Sequence, residues 1–162
     1  MKVLVCVDRS EASAKAVAVA AKTLGPQGGQ VHWTLLHIAE FLPEFLLSDH
    51  PDAGQTSRTL ADRWAANAKS AGEEQLQKAQ AALVAAGIPA ASIAHKLVLK
   101  DCLPESKKVA AALAIIAEMQ AENYDLVVIG RRGASELAVS MIGGVAEKVL
   151  REAHGRSVLV VD

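Results

Sequence analysis

Runs of apolar residues alternate along the whole chain with stretches of helical spacing. Most of these runs have no polar residue at alternate positions, which is typical of strands buried on both faces of a parallel sheet. One run contains His95 and Lys96 and is the most polar of the set, so it is expected at a sheet edge. The predicted strands span residues 3–7, 31–38, 93–99, 126–129 and 158–161.

The intervening stretches predict helices with recognisable ends. Ser10 is a suitable N-cap for a helix that Gly25 and the following proline terminate. A helix over residues 57–86 contains Gly72, where we expect a bend or a break. In the next helix, the buried stripe is predicted to consist of Val109, Leu113 and Ile116, and a last helix covers residues 144–153.

Composition limits the class of protein. The chain has 162 residues, 51% of them hydrophobic and 22% charged, with a formal net charge of −1, which suits a single domain over residues 1–162. The absence of a basic stripe argues against nucleic-acid binding, and no apolar run reaches the ~20 residues that span a bilayer. Two cysteines make no disulfide framework. We therefore expect a cytoplasmic protein with no nucleic-acid or membrane partner.

The glycines are distributed in an informative way. None follows the first strand, where Asp8 leads into the first helix, so a dinucleotide-binding glycine turn is excluded. Instead Gly130 and Gly133 follow the fourth strand, and nine residues later Gly143 and Gly144 open a helix. Gly130 is expected to adopt unusual dihedral angles, and Gly133 to allow a ligand close to the backbone. The amides of the last two glycines are expected to bind an anion at the helix start.

This pattern resembles the universal stress protein family. Its ATP-binding members carry Gly-x2-Gly-x9-Gly followed by Ser, Thr or Asn, and both spacings match Gly130, Gly133 and Gly143. The resemblance covers nearly the whole chain in the order of elements. It implies an α/β fold of the adenine nucleotide alpha hydrolase type, with a five-stranded parallel sheet of order 3-2-1-4-5 and helices on both faces. It also implies a homodimer formed through the fifth strand.

The resemblance also implies a nucleotide site. Asp8 and the backbone of Ile38 would hold the adenosine, and Ile129 would line the pocket. The ribose and phosphates would lie against the glycines and the start of the last helix, while the arginines at 131 and 132 either pair with phosphates or are solvated loop charges. The residues implied for the site are Asp8, Ile38, Ile129, Gly130, Arg132, Gly133, Gly143, Gly144 and Val145.

Gly144 departs from the family pattern. It replaces a hydroxyl or amide side chain that reaches the phosphates, and the loss of one such hydrogen bond weakens binding by roughly tenfold to a hundredfold. The backbone amides and the helix dipole are retained, so we expect weakened triphosphate binding, with AMP or ADP held nearly as well as ATP. Any Mg²⁺ is expected to come with the nucleotide rather than from a protein cage.

Two other hypotheses remain open. Gly144 and the apolar stretch 41–47 favour a nucleotide-free dimeric interaction protein of the same fold. A nucleotide-hydrolysing or adenylyl-transferring enzyme is the least favoured, because the sequence contains no evident nucleophile–base pair or general base. No catalytic or metal-binding residue is predicted, and ATP hydrolysis is expected to be slow at most. Asp8 also has a purely structural interpretation, as a cap for the first helix.

Overall fold

A computed structural model describes residues 1–25, 31–41, 54–101, 107–133 and 142–162. Strands and helices alternate, as the apolar pattern predicts. The strands are β1 (Lys2–Cys6), β2 (His32–Phe41), β3 (Ile93–Asp101), β4 (Leu126–Gly130) and β5 (Ser157–Val161). The helices are α1 (Glu11–Leu24), α2 (Gly54–Ala85), α3 (Lys107–Ala121) and α4 (Gly144–Glu152), with a short 3₁₀ turn at Ala90–Ser92.

The five strands form one sheet in the order β3-β2-β1-β4-β5. All neighbouring pairs are parallel, so the α/β fold class and the strand order that the family resemblance implies are confirmed. The polar strand β3 lies at one edge, as its composition predicts, and β5 lies at the other. β1 is central, and the whole of it is paired with β2 from Lys2↔His32 to Cys6↔Leu36.

Successive residues of the central strands enter different cores, because side chains alternate between the faces of a sheet. On one face Val3 and Val5 pack with α1 and α2, and on the other Leu4 packs with α3 and α4. These three side chains are fully buried. Helices cover both faces, which explains why the strands contain continuous apolar runs rather than alternating ones.

The buried face of α3 differs from the predicted one. Val109 and Leu113 are 48% and 52% exposed, and only Ile116 of the expected stripe is buried. The helix is apolar around most of its circumference, so several phases of the 3.6-residue period fit the sequence and packing against the sheet selects among them. The face that it turns to the core includes residues at i, i+3, i+4 and i+7, all of them buried: Ala112, Ile115, Ile116 and Met119.

Gly72 does not interrupt α2, which runs continuously from Gly54 to Ala85. The glycine marks a close contact instead. A Cβ at this position would lie 2.6 Å from Leu97 Cδ1 and 2.7 Å from His37 Cδ2. The absence of a side chain therefore lets the helix approach β2 and β3, and the expected bend is wrong.

A buried carboxylate links α3 to the sheet. Glu118 is 6% exposed; its Oε1 accepts a 2.8 Å hydrogen bond from the Tyr124 hydroxyl, and its Oε2 lies 2.5 Å from Lys96 Nζ. Burial, followed by the hydrogen bond and charge of Glu118, raises the pKa of Tyr124 to about 12, although a hydrogen bond with Thr34 opposes this shift. This cluster lies on the face covered by α3 and fastens the edge strand β3.

Candidate functional site

The carboxyl ends of β1, β2 and β4 meet at one edge of the sheet, where the strand order reverses. Open α/β sheets bind ligands at such a switch point, because the connections leave it towards opposite faces and a crevice remains between them. A cavity of about 510 Å³ lies there, within the size range of small-molecule sites. The predicted residues that line it are Asp8, Ile38, Ile129, Gly130, Arg132, Gly133, Gly143 and Val145.

The edge of β2 that faces β1 is open beside the cavity. Pairing between the two strands ends at Cys6↔Leu36, and the Val7 amide adds one more bond to the Leu36 carbonyl oxygen at 2.8 Å. β2 nevertheless continues to Phe41 alongside β3. Ile38 therefore lies within β2, and its backbone extends beyond the end of β1. A ligand with in-plane donors and acceptors can hydrogen-bond to such an edge as a further strand would.

His37 holds the start of this edge. Its Nδ1 donates a 2.7 Å hydrogen bond to the Val7 carbonyl oxygen, which is the group that a continuing β1 would have offered to β2. The histidine is half-buried and lines the cavity, and its ring contacts α2 where Gly72 gives it room.

Asp8 shapes the turn from β1 into α1. Its Oδ1 accepts hydrogen bonds from the Ser10 amide at 2.8 Å and the Ser10 hydroxyl at 2.5 Å, and Ser10 Oγ accepts from the Ser13 amide as the N-cap of α1. Asp8 therefore orients the cap residue Ser10, while Ser10 itself caps the helix. Its other oxygen faces the glycine loop, since a Cβ on Gly133 would lie 3.2 Å from Oδ2. One carboxylate therefore supports the helix start with one oxygen and borders the cavity with the other.

Gly130 is required for a different reason from the expected one. Among the described residues, only Gly87 and Gly155 have positive φ angles, so Gly130 has no special dihedral angles. A Cβ there would lie 2.9 Å from both the Ala12 carbonyl carbon and the Ser13 amide nitrogen. The glycine lets the end of β4 pack directly on the first turn of α1, which closes the floor of the cavity.

The connection after β4 is held by backbone hydrogen bonds. The Arg131 amide donates to the Val161 carbonyl oxygen at 2.6 Å, and the Gly143 amide donates to the Arg131 carbonyl oxygen at 2.8 Å. The expectation that the Gly143 amide is open to an anion is therefore wrong, because the fold uses this donor to join the two ends of the glycine motif. Gly143 still borders the cavity.

The first turn of α4 opens towards the cavity. Gly143 is its N-cap residue and provides no side-chain cap, while Val145 and Ala146 line the cavity. A helix start attracts anions, because its N–H groups and the helix dipole both favour negative charge. Gly144 is not among the described residues that line the cavity. Its predicted role therefore depends on its backbone, and on the absence of the hydroxyl or amide side chain that the family pattern has at this position.

Helix α2 supplies a wall of the cavity that the sequence analysis missed. Asn67, Ala68, Ala71 and Gln75 all line it. The available signal is the cluster of small residues at helical spacing, which ends at Gly72 and lets α2 lie close to the sheet. The wall adds two side-chain amides, which can donate and accept hydrogen bonds.

Cys6 lies at the base of the cavity and is chemically quiet. Burial, followed by the nearby negative charge of Asp8, raises the pKa of its thiol to about 12. A thiol that stays protonated at neutral pH is a poor nucleophile. Cys6 therefore acts as a packing residue of the core.

The whole chain, residues 1–162, matches the universal stress protein family. The chain belongs to this family. Universal stress protein UspA from Lactobacillus plantarum is 21% identical, with a TM-score of 0.65 and coverage of 100% of this chain and 97% of that one. A universal stress protein solved in complex with cAMP is 22% identical, with a TM-score of 0.66 and coverage of 100% and 97%.

A more distant universal stress protein family member from Arabidopsis thaliana was solved with AMP bound. It is 14% identical, with a TM-score of 0.57, and the match covers 99% of this chain and 90% of that one. At these identities the likeness shows that this chain shares the universal stress protein fold. No curated protein matches the sequence.

Metal sites and membrane-spanning helices were also sought in the described part of this universal stress protein. Within it, no three His, Cys, Asp or Glu side chains are grouped so as to hold a metal ion. None of the helices described there has the length and apolar character needed to cross a bilayer. Residues 42–47 of the apolar stretch considered as an interaction patch lie outside the described residues.

Proposed function

We propose that this protein binds an adenine nucleotide at the carboxyl end of its sheet and acts as a cytoplasmic regulatory or stress-protective module. The observation that carries the proposal is the cavity at the switch point, which brings together Asp8, the open edge of β2 and the start of α4. Two family members of the same fold were solved with cAMP or AMP. These residues are separated by up to ~140 positions in the sequence, and their convergence supports one shared ligand.

The two ends of the cavity differ in a way that suits a nucleotide. At one end the backbone of Ile38 lies beyond the last pairing of β1 with β2, and the Asp8 turn and α2 line the same cavity, which suits a planar base with in-plane hydrogen-bonding groups. At the other end lie Arg131, Arg132 and the first turn of α4, whose N-cap residue supplies no side-chain cap; these groups suit a phosphate. Mg²⁺ would enter with a polyphosphate rather than by a dedicated protein site.

Isothermal titration calorimetry with AMP, cAMP, ADP and ATP tests this proposal, with GMP as the control for the base. We expect saturable binding of at least one adenine nucleotide and a matching rise in melting temperature, since a ligand that binds only the folded state stabilises it. Asp8→Asn keeps an oxygen for Ser10 and removes the charge, so it tests the carboxylate without removing the cap. The absence of any heat or thermal shift at millimolar adenine nucleotide would contradict the proposal.

Gly144→Ser tests the phosphate end. A serine restores the hydroxyl of the family pattern, and we expect it to tighten ATP binding by about tenfold, the effect of one hydrogen bond to a charged group. AMP should gain less, because its single phosphate reaches fewer donors. An equal gain for both nucleotides would show that the start of α4 does not bind the outer phosphates.

A nucleotide-free interaction protein is the second candidate function, because contacts within the fold already engage some of the groups predicted to bind phosphate. The Gly143 amide is bonded to Arg131, and both arginines of the loop pair with Asp162. The calorimetric experiment separates the two candidates directly. Hydrolysis is a minor part of either one, and we expect any ATP turnover to be slow.

We also propose that the protein is a homodimer that pairs through β5. This strand lies at a sheet edge, and its residues Val158, Leu159 and Val160 are only half-buried. An apolar edge strand is a surface that folded proteins pair or cover.

Val160→Asp should convert the dimer to a monomer in sedimentation velocity. Val84→Asp is the matched control, since Val84 is an exposed valine on α2. An unchanged dimer in the Val160 variant would exclude this interface.

A further inference from the structure

The two arginines beside the glycine motif share one carboxylate. Arg131 Nη2 lies 2.5 Å from Asp162 Oδ2, and Arg132 Nη2 lies 3.5 Å from Asp162 Oδ1. Each oxygen of Asp162 therefore faces one guanidinium group. The sequence analysis left the arginines as phosphate ligands or solvated charges, and the structure shows a third arrangement.

The sheet itself builds this cluster. β4 and β5 pair in parallel with Gly130 opposite Val161, which places Asp162 next to the arginines that follow Gly130. The hydrogen bond from the Arg131 amide to the Val161 carbonyl oxygen holds the two chains together at this point. The position of Asp162 is thus determined by strand register rather than by a flexible surface contact.

The same arginines line the cavity at its phosphate end, next to Gly133, Gly143 and Val145. A carboxylate and a phosphate compete for the same guanidinium donors, because each offers two anionic oxygens that the paired N–H groups of arginine can bind. Arg131 also has a buried Nε donor without a partner among the described residues. It therefore stands to gain a hydrogen bond from an added acceptor.

We propose that Asp162 is a specificity-determining residue: an internal counter-anion that occupies Arg131 and Arg132 and disfavours nucleotides with several phosphates. This inference rests on the proposed nucleotide site. With Asp162 ionised, the three side chains carry a net charge of +1 instead of +2. A monophosphate carries less negative charge than a triphosphate and needs fewer hydrogen-bond donors. A triphosphate must either displace the Asp162 carboxylate from the arginines or lie close to it, which like charges disfavour.

Asp162 remains charged at neutral pH. Partial burial acts to raise the pKa of its carboxyl, but the hydrogen bond and charge of Arg131, and then those of Arg132, outweigh this effect and lower the pKa below the ordinary value of 3.8. The counter-anion is therefore present throughout the physiological range.

Asp162→Asn tests the inference, with binding of AMP and ATP measured by calorimetry without Mg²⁺. We expect the variant to bind ATP about two- to fivefold more tightly than the wild type, the upper part of the range for releasing partly exposed charge pairs. AMP affinity should change less than twofold. Asp162→Glu retains the charge and should keep the wild-type ratio of the two affinities.

Glu122→Gln is the matched control. It also removes one negative charge, from an exposed ion pair with Lys2 at the amino end of the sheet, and should leave both affinities unchanged. An equal or absent gain for AMP and ATP in the Asp162→Asn variant would overturn the role of Asp162 while leaving the nucleotide site intact. Failure of every variant and the wild type to bind any adenine nucleotide would overturn the site and this inference together.

Discussion

Gly130→Ala is expected to lower the free energy of unfolding by about 2–3 kcal/mol, the cost of an added methyl group in a tightly packed place. The methyl would meet the Ala12 carbonyl carbon and the Ser13 amide nitrogen at 2.9 Å. Both are backbone atoms, so the first turn of α1 must move rather than a side chain. Denaturant unfolding followed by circular dichroism measures the change.

The control for this variant is the same substitution where space exists. Among the described residues, a Cβ on Gly25 would meet only Ile88, at 3.8 Å, and Gly25 has helical dihedral angles. Gly25→Ala should therefore be neutral or more stable by about 0.5 kcal/mol, through reduced entropy of the unfolded chain. If the two alanine variants are equally stable, the close approach of β4 to α1 is not a constraint. The Gly130 variant should also weaken nucleotide binding, because the shifted turn carries Asp8.

Glu118→Ala is expected to lower the free energy of unfolding by about 2–3 kcal/mol. The O–H donor of the buried Tyr124 loses its acceptor, although the phenol oxygen keeps its hydrogen bond with Thr34. An unmet buried donor costs about 1–3 kcal/mol, and Lys96 also loses its partner. Lys96 is 43% exposed and can return to water, which keeps the loss below the full cost of breaking a buried pair. Glu122→Ala removes an exposed pair with Lys2 and should cost less than about 1 kcal/mol.

Tyr124 provides a second readout for the same variant, because it is the sole tyrosine of the chain. Its pKa is raised from the ordinary 10.0 to about 12. The unfolded chain therefore loses this proton first, so the stability that the neutral phenol contributes is present below pH 10 and is lost as the pH rises to about 12. Tyrosinate absorbance should titrate at lower pH in Glu118→Ala. An unchanged midpoint would show that Glu118 does not act on this phenol.

Local patterns identified the strands because each core strand is covered on both faces and can be apolar throughout. They identified less well what depends on the phase of a helix. In α3 the expected stripe through Val109 and Leu113 is exposed, while Ala112 and Met119 are buried. A helix rich in alanine and isoleucine has little polar contrast around its circumference, and only the position of the sheet decides which side is covered.

The site divides in the same way. The glycine spacing, the strand ends and the resemblance to the family identified eight of the described residues that line the cavity, since parallel strands end at a common edge. The residues that the helices α2 and α3 contribute were not identified. The role of Gly130 was not accessible, because it depends on the backbone of α1 more than a hundred residues away in the chain. Likewise, nothing local to Arg131 indicates that Asp162 faces it or that its carbonyl oxygen accepts the Gly143 amide.

By itself, the sequence determined the alternation of strands and helices, the polar edge strand β3 and the glycine motif at the end of β4. These features depend on contacts between near neighbours and on average burial, and the local pattern of apolar, polar and glycine residues reflects both directly. The tertiary structure alone decided which donors are engaged within the fold, where α2 closes the cavity and which carboxylate neutralises the arginines. Such pairings join distant segments, and their partners are selected by strand register and helix packing rather than by the residues on either side.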